Sequence, residues 1–150
     1  MTITSPPTDD MLLVDGTTGI VGSRLRRAQL NVFQKFLTVF DDLKLRPAEY
    51  SVLVLIADNP GRKQTVIAEV LGIKRANFVT LVHGLEERRL VERIPSAADR
   101  RANALHLTAE GQQFLARIRS MHDAMEDHLV DRLGGPQARD QLFALLDRLS

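Results

Sequence analysis

The 150-residue sequence predicts a mainly helical α+β fold of six helices and one small β-hairpin. Apolar residues recur at helical spacing along most of the chain. Turn signals at Asn59-Pro60-Gly61 and Gly134-Gly135-Pro136 separate helical stretches. Between residues 91 and 107, two short apolar stretches flank a polar loop, a pattern typical of a hairpin. A chain of this length buries roughly two thirds of its unfolded surface, which is enough for a hydrophobic core.

Composition excludes several classes of function. Cysteine is absent, which excludes disulfides, thiolate catalysis and zinc–thiolate sites. No run of about 18 apolar residues occurs, so we expect no membrane partner. Residues 1–10 lack the basic and apolar regions of a secretory signal, so we expect a cytoplasmic protein. No glycine-rich phosphate loop, metal-binding helix motif or nucleophile elbow is present, so we expect no catalytic residues and no enzyme.

The N-terminal part of the chain is expected to hold a mobile arm and one long helix. Residues 1–15 are polar apart from a short apolar patch, which favours a mobile arm. Residues 20–43 carry two neighbouring apolar stripes at helical spacing. One stripe suits packing within its own domain. The second favours either a partner or a central position in the fold.

The next elements alternate between short helices and strands. Pro47 suits the first turn of a helix that runs to about residue 57. Two short helices follow, and Gly72-Ile73 separates them. Thr108 is a good N-cap for a long helix, although Gly111 stands where a capping box has an acid. The expected bounds are helices at 63–71 and 74–89, strands at 91–95 and 104–107, and helices from Thr108 to about 132 and from Pro136 to 149. In the last helix we expect four leucines to point inward: Leu142, Leu145, Leu146 and Leu149.

Residues 64–85 match a helix-turn-helix. Two short helices that cross steeply need a small residue where their backbones approach, and a turn residue that tolerates positive φ. Ala68 and Gly72 fill these positions. An αα-hairpin with a glycine turn is the alternative. The apolar residues that would hold both helices in place are Ile67, Leu71, Ile73, Phe78, Leu81, Val82 and Leu85.

If the apolar stripe of the second helix is buried, its opposite face points outward near the N-terminus. A recognition helix inserts this end into the major groove. Arg75 matches guanine and Asn77 matches adenine. Thr80 suits a thymine methyl or a phosphate, and Lys74 suits phosphate. A solvated polar face would have the same composition, but the position of this face directly after the turn motif favours DNA binding. The candidate residues are Lys74, Arg75, Asn77, Thr80 and His83.

The strand–loop–strand that follows predicts a basic wing. Residues 61–103 carry nine Lys/Arg and five Asp/Glu, whereas the remainder carries eleven and fourteen. A basic middle between acidic ends is typical of one face that meets a polyanion. Asp99 and Arg101 lie two residues apart, so in an extended arm they can pair and hold the arginine for a narrow groove. Arg100 adds charge beside them, and an unbound hairpin with a surface ion pair is the alternative.

From about Ile20 to Leu149 the chain resembles the MarR family of bacterial transcription regulators. The order of elements and four stretches carry the resemblance, namely QTVIAEVLGI (64–73), LVHGLE (81–86), LVER (90–93) and DRRANALHLT (99–108), with Gly111 after them. The resemblance implies a winged helix-turn-helix DNA-binding domain at 46–107. It also implies that 16–45 and 108–150 form a helical dimerisation region. Asp99 would then orient Arg101 into the minor groove.

The resemblance also implies a small effector. Members of the family usually bind anionic aromatic compounds or their coenzyme A esters, and release DNA. Candidate ligand-binding residues are Arg26 or Arg27 for an anionic group, with Phe33, Tyr50 and His122 as walls or donors. Ordinary surface charge and core packing are the alternatives for each of them. The four histidines offer at best His122 with Glu126 on one helical face, with His128 off-register, so we expect no metal site and no cofactor.

Together these features predict a homodimeric repressor that binds a palindromic operator in double-stranded DNA. Its half-sites should lie about 34–36 Å apart, because two symmetry-related helices must enter successive major grooves. A winged-helix module that binds protein and not DNA is one alternative. A metal-responsive regulator is another.

Overall fold

A computed structural model of the chain describes residues 15–95 and 103–149. The described part is mainly helical with a small antiparallel sheet, the arrangement of a winged helix. In chain order the elements are α1 Asp15–Thr18, α2 Val21–Val39, α3 Pro47–Asp58, β1 Arg62–Lys63, α4 Gln64–Val70, α5 Arg75–Glu87, β2 Val91–Pro95, β3 Asn103–Leu107, α6 Ala109–Leu133 and α7 Pro136–Leu146. Short 3₁₀ helices occupy Asp41–Leu43 and Asp147–Leu149. None of these helices has the length and apolarity needed to cross a membrane.

The chain divides into two compact units between Lys35 and Phe36. In the first unit, α2 leaves large apolar side chains exposed, for example Val21 at 63% and Leu30 at 54%. The predicted helix 20–43 is too long, because α2 ends at Val39 and Lys44 adopts positive φ. The predicted arm at 1–15 lies outside the described residues except for Asp15, which begins α1.

The second unit holds the hydrophobic core. Pro47 occupies the first turn of α3, and the backbone N–H of Arg46 donates to the Glu49 carboxylate at 2.8 Å. This bond satisfies a donor that the helix cannot pair internally. Buried side chains come from α3, α4, α5, β2, β3 and α6, whereas α7 contributes none. Those least exposed are Phe40, Leu45, Val52, Leu53, Ile56, Phe78, Val82, Leu85, Leu105 and Ile118.

The turn between α4 and α5 has the geometry that the sequence predicts. Gly72 has φ +62°, a conformation that residues with a Cβ rarely adopt. The Gly72 N–H donates to the Glu69 carbonyl at 3.0 Å, and the Ile73 N–H donates to the Ala68 carbonyl at 2.9 Å. This pair of bonds is a Schellman motif, which satisfies the last carbonyls of α4. Ala68 is buried in the hydrophobic core.

The sheet has one strand more than the predicted hairpin. Its order is β1-β3-β2, and both pairings are antiparallel. The strand that the prediction omits, β1, has two residues, Arg62 and Lys63, which are too few to show an alternating pattern. The central strand, β3, places Leu105 opposite both Arg62 and Arg93. The wing therefore has its base attached to the start of α4.

The two C-terminal helices differ in burial. The Thr108 hydroxyl accepts a hydrogen bond from the Gly111 N–H at 2.9 Å, as an N-cap does. Leu115, Ile118 and Met125 of α6 are buried. The prediction for the last helix is wrong for two leucines, because Leu145 is 57% and Leu149 is 64% exposed. This helix contacts α6 along one side only. Its apolar residues spread over a wider arc than α6 covers, so some of them stay exposed.

Candidate functional site

Helix α5 has one buried face and one exposed polar face. Phe78, Val82 and Leu85 are at most 1% exposed and hold the helix against the core. The opposite face is exposed and lies next to the N-terminus of the helix. It carries the five residues that the sequence singles out: Lys74, Arg75, Asn77, Thr80 and His83.

The contacts on this exposed face are local. The Thr80 hydroxyl donates to the Ala76 carbonyl at 3.2 Å, and His83 Nε2 lies 3.6 Å from the Glu87 carboxylate. No described residue forms a side-chain hydrogen bond or ion pair with Arg75 or Asn77. Long donors without an internal partner are available to a ligand, and the positive end of the helix dipole favours an anion here.

The sheet places the wing directly after α5. The β2–β3 ladder runs from Val91 paired with Leu107 to Pro95 paired with Asn103. The predicted wing residues Asp99, Arg100 and Arg101 lie outside the described residues. The structure therefore locates the base of the wing, and the predicted ion pair stays a prediction.

A second cluster of functional side chains is aromatic. The rings of Tyr50 on α3 and His122 on α6 are stacked, with centroids 4.2 Å apart and an interplanar angle of 15°. Phe36 meets both edge-on at 6.1 and 6.2 Å, and its ring lies 4.4 Å from that of Phe40. We call Phe36, Phe40, Tyr50 and His122 the aromatic cluster. Two of the predicted ligand residues, Tyr50 and His122, are thus in direct contact.

Charged groups surround the aromatic cluster. His122 Nε2 lies 3.9 Å from the Glu126 carboxylate, and the Arg119 guanidinium donates to Asp58 at 2.8 Å. Burial raises the pKa of the Tyr50 phenol above its ordinary value of 10.0, and the negative charge of Asp123 raises it further. The phenol is therefore held in its neutral, hydrogen-donating form well beyond neutral pH.

The remaining ligand candidates belong to the first unit. Arg26, Arg27 and Phe33 are exposed on α2. Arg27 lines a cavity of about 390 Å³, whereas Arg26 does not. Arg24, which the sequence analysis did not single out, lines the same cavity, and its Nε donates to the Thr18 carbonyl. Its spacing of one helical turn from Arg27 is the signal that would have identified it.

Sequence reasoning also missed Phe36 and Phe40, which it assigned to the general apolar stripe of the first helix. Their place beside Tyr50 and His122 depends on three helices meeting, and spacing within one helix cannot reveal that. Among the described residues, no group of three or more histidines and carboxylates converges on a possible metal position.

This fold, in which α5 exposes a polar face and the paired strands β2 and β3 follow it, is that of a winged helix-turn-helix protein. Residues 43–102 match the model of the MarR family. A protein of Thauera aromatica, described as a transcriptional regulator for the hcr operon, is 37% identical over 139 residues, covering 91% of this chain and 83% of that protein. The chain belongs to the MarR family of transcriptional regulators.

Solved structures agree with this assignment. The transcriptional repressor CouR bound to a 23-mer DNA duplex has a TM-score of 0.82 and 43% sequence identity, covering 93% of this chain and 96% of CouR. CouR bound to p-coumaroyl-CoA has a TM-score of 0.84 and 39% identity, covering 93% and 97%. These relatives are regulators and not enzymes, and the chain is a regulator of the same type.

Proposed function

We propose that the protein is a repressor that binds a palindromic operator and is released by an aromatic acyl-CoA thioester or the corresponding aromatic acid. The observation that carries the first part is the exposed polar face of α5 opposite its buried stripe of Phe78, Val82 and Leu85. A helix held in this way presents Arg75 and Asn77 as a rigid unit, which suits direct readout of base edges. CouR, a similar protein, was solved on DNA.

The operator-binding form is proposed to be a homodimer built from residues 16–45 and 108–150. Two segments within this range expose large apolar side chains that water solvates poorly. On α2 they include Val21, Leu25, Leu30 and Val32, and toward the C-terminus they include Leu133, Phe143, Leu145 and Leu149. A second copy of the chain would cover them, and its two-fold symmetry would match a palindrome.

The proposed effector site includes the aromatic cluster. The Tyr50–His122 stack joins α3 of the DNA-binding domain to α6 of the proposed dimerisation region, with planar faces suited to an aromatic acyl group. Arg26 and Arg27 as candidates for an anionic group, and Phe33 as a wall, rest on the sequence and the family resemblance alone. CouR was also solved with p-coumaroyl-CoA. A ligand that binds better to a form with wrongly spaced recognition helices shifts the population toward that form and releases DNA.

DNA binding is tested by fluorescence anisotropy with the DNA that flanks the gene of this protein, at several salt concentrations. We expect log affinity to fall linearly and steeply with log salt, because lysine and arginine contacts release counterions from the phosphates. A flat salt response, or no discrimination against scrambled DNA, would favour the protein-binding alternative.

The effector is tested by adding p-coumaroyl-CoA, p-coumarate or coenzyme A to the protein–DNA complex. We expect the thioester or the acid to release DNA, and coenzyme A alone to have no effect. His122→Leu should weaken the response, whereas His128→Leu, at an exposed position of the same helix, should not. The chain has one tyrosine and no tryptophan, so quenching of tyrosine fluorescence reports directly on Tyr50. Equal responses of both variants would remove the aromatic cluster from the proposed site.

A further inference from the structure

Arg93 joins the first strand of the wing to the recognition helix. Its side chain extends from β2 to α5, where Nη1 lies 3.3 Å from the Glu86 carboxylate. Its Nη2 donates to the Val79 carbonyl at 3.4 Å. Val79 and Glu86 are seven residues apart, so they lie on one side of α5 about two turns from each other. The Arg93 side chain thus connects β2 to α5 across two turns of the helix.

This contact is partly shielded from water. The Arg93 and Glu86 side chains are 24% and 26% exposed, so the pair is less screened than a surface salt bridge. The Nε of Arg93 is buried without a hydrogen-bond partner among the described residues. Leaving a buried donor unpaired is unfavourable, so the surrounding contacts hold the guanidinium where it is.

The strand that Arg93 holds leads directly into the wing loop. Arg93 pairs with the fully buried Leu105 of β3, and the ladder continues to Pro95 opposite Asn103. Anything that fixes Arg93 on α5 therefore fixes the end of the ladder relative to the recognition helix. Three residues beyond Arg93 the chain enters the segment 96–102, which carries the predicted minor-groove arginine, Arg101.

We propose that Arg93 is a positioning residue that sets the wing against the recognition helix, so that both reach their grooves at the same time. The inference rests on the proposed operator binding. When two contacts are held in fixed geometry, the second one forms at little further entropic cost once the first has formed. Without Arg93 the ladder would sample more orientations, and the contact from Arg101 would add less to affinity.

The test is a double-mutant cycle on operator affinity, with Arg93→Gln, Arg101→Ala and the combined variant. In the wild type we expect Arg101→Ala to weaken binding about tenfold, as for loss of one good contact. In the Arg93→Gln background, the same change should weaken binding by less than about threefold, because coupled residues are not additive. Arg89→Gln serves as the control, because it removes the same charge from an exposed residue in the connection between α5 and β2. In that background the full effect of Arg101→Ala should persist.

Additive losses in the Arg93→Gln background would overturn the inference while leaving operator binding intact. So would a wild type that binds its operator but is insensitive to Arg101→Ala. Absence of specific operator binding by the wild type would instead contradict the proposed function itself. If Arg93→Gln unfolds, Glu86→Gln removes one of the two helix contacts and keeps the arginine, and it should give a smaller loss of coupling in the same direction.

Discussion

Gly111, in the first turn of α6, lies directly against the carbonyl of Leu90. A Cβ at Gly111 would be 1.9 Å from the Leu90 oxygen and 2.8 Å from its carbonyl carbon. The same carbonyl accepts from the Thr108 N–H at 3.1 Å, and the Thr108 hydroxyl caps the Gly111 N–H. The start of α6 is thus bound to the segment between α5 and β2. This contact connects the proposed dimerisation region to the proposed DNA-binding domain.

Gly111→Ala should therefore destabilise the fold. The new methyl group meets backbone and not a flexible side chain, so the helix must shift, and overpacking of this kind costs about 1–3 kcal/mol. Gly84→Ala is the control, since Gly84 is also helical but has open space around it, and alanine there should stabilise by up to about 1 kcal/mol. Chemical denaturation of both variants measures the difference. Equal stabilities would contradict the close contact.

Arg75→Ala should weaken operator binding and broaden sequence preference. A bidentate contact to a guanine contributes about 1–3 kcal/mol, and its loss removes discrimination at that base pair. Arg117→Ala removes the same charge from an exposed position on α6 and should change affinity little. Anisotropy against a set of single-base operator variants measures both effects. A uniform loss over all variants would mean that Arg75 contacts phosphate.

Leu145→Glu should weaken the proposed homodimer and leave the fold of the subunit intact. Leu145 is 57% exposed in the single chain, so a charge there meets water unless a second copy covers it. Gln141→Glu adds the same charge at an exposed position one turn earlier in α7 and serves as the control. Sedimentation velocity over a range of concentrations gives the monomer–dimer equilibrium. An unchanged equilibrium in the Leu145 variant would place the dimer interface elsewhere.

Tyr50 should ionise above its ordinary pKa of 10.0, because burial and the charge of Asp123 both raise the pKa of the phenol. A raised pKa means that the folded state holds the proton more tightly than the unfolded state. The stabilisation is therefore complete below about pH 10 and is lost as pH rises toward the folded pKa. Since Tyr50 is the one tyrosine, phenolate absorbance follows it alone.

The difference in unfolding free energy between wild type and Tyr50→Phe isolates this contribution from the lysines, which titrate in the same range. We expect the difference to be constant up to about pH 10 and to fall above it, in line with the pKa shift. A phenolate midpoint at or below 10 would contradict the buried, stacked position of the ring.

Local patterns predicted the elements that depend on neighbours in sequence. The turn at Gly72 and the two faces of α5 follow from helical periodicity and from the need for positive φ, and the structure has both. The sequence shows only that Gly111 stands where a capping box has an acid, whereas the structure shows that a residue without a Cβ is needed there to admit the Leu90 carbonyl. A capping pattern is visible within four residues, but a close approach from another segment is not.

The amino-acid sequence alone determined the family, the order of α2 to α7 and of the two wing strands, and the polar face that α5 presents. These properties arise from periodicity and backbone preference over a few residues. Only the tertiary structure decided which distant side chains meet, such as Tyr50 with His122 and Arg93 with Glu86. Such pairings depend on how whole elements are placed in three dimensions, and that placement is set by packing of the core as a whole.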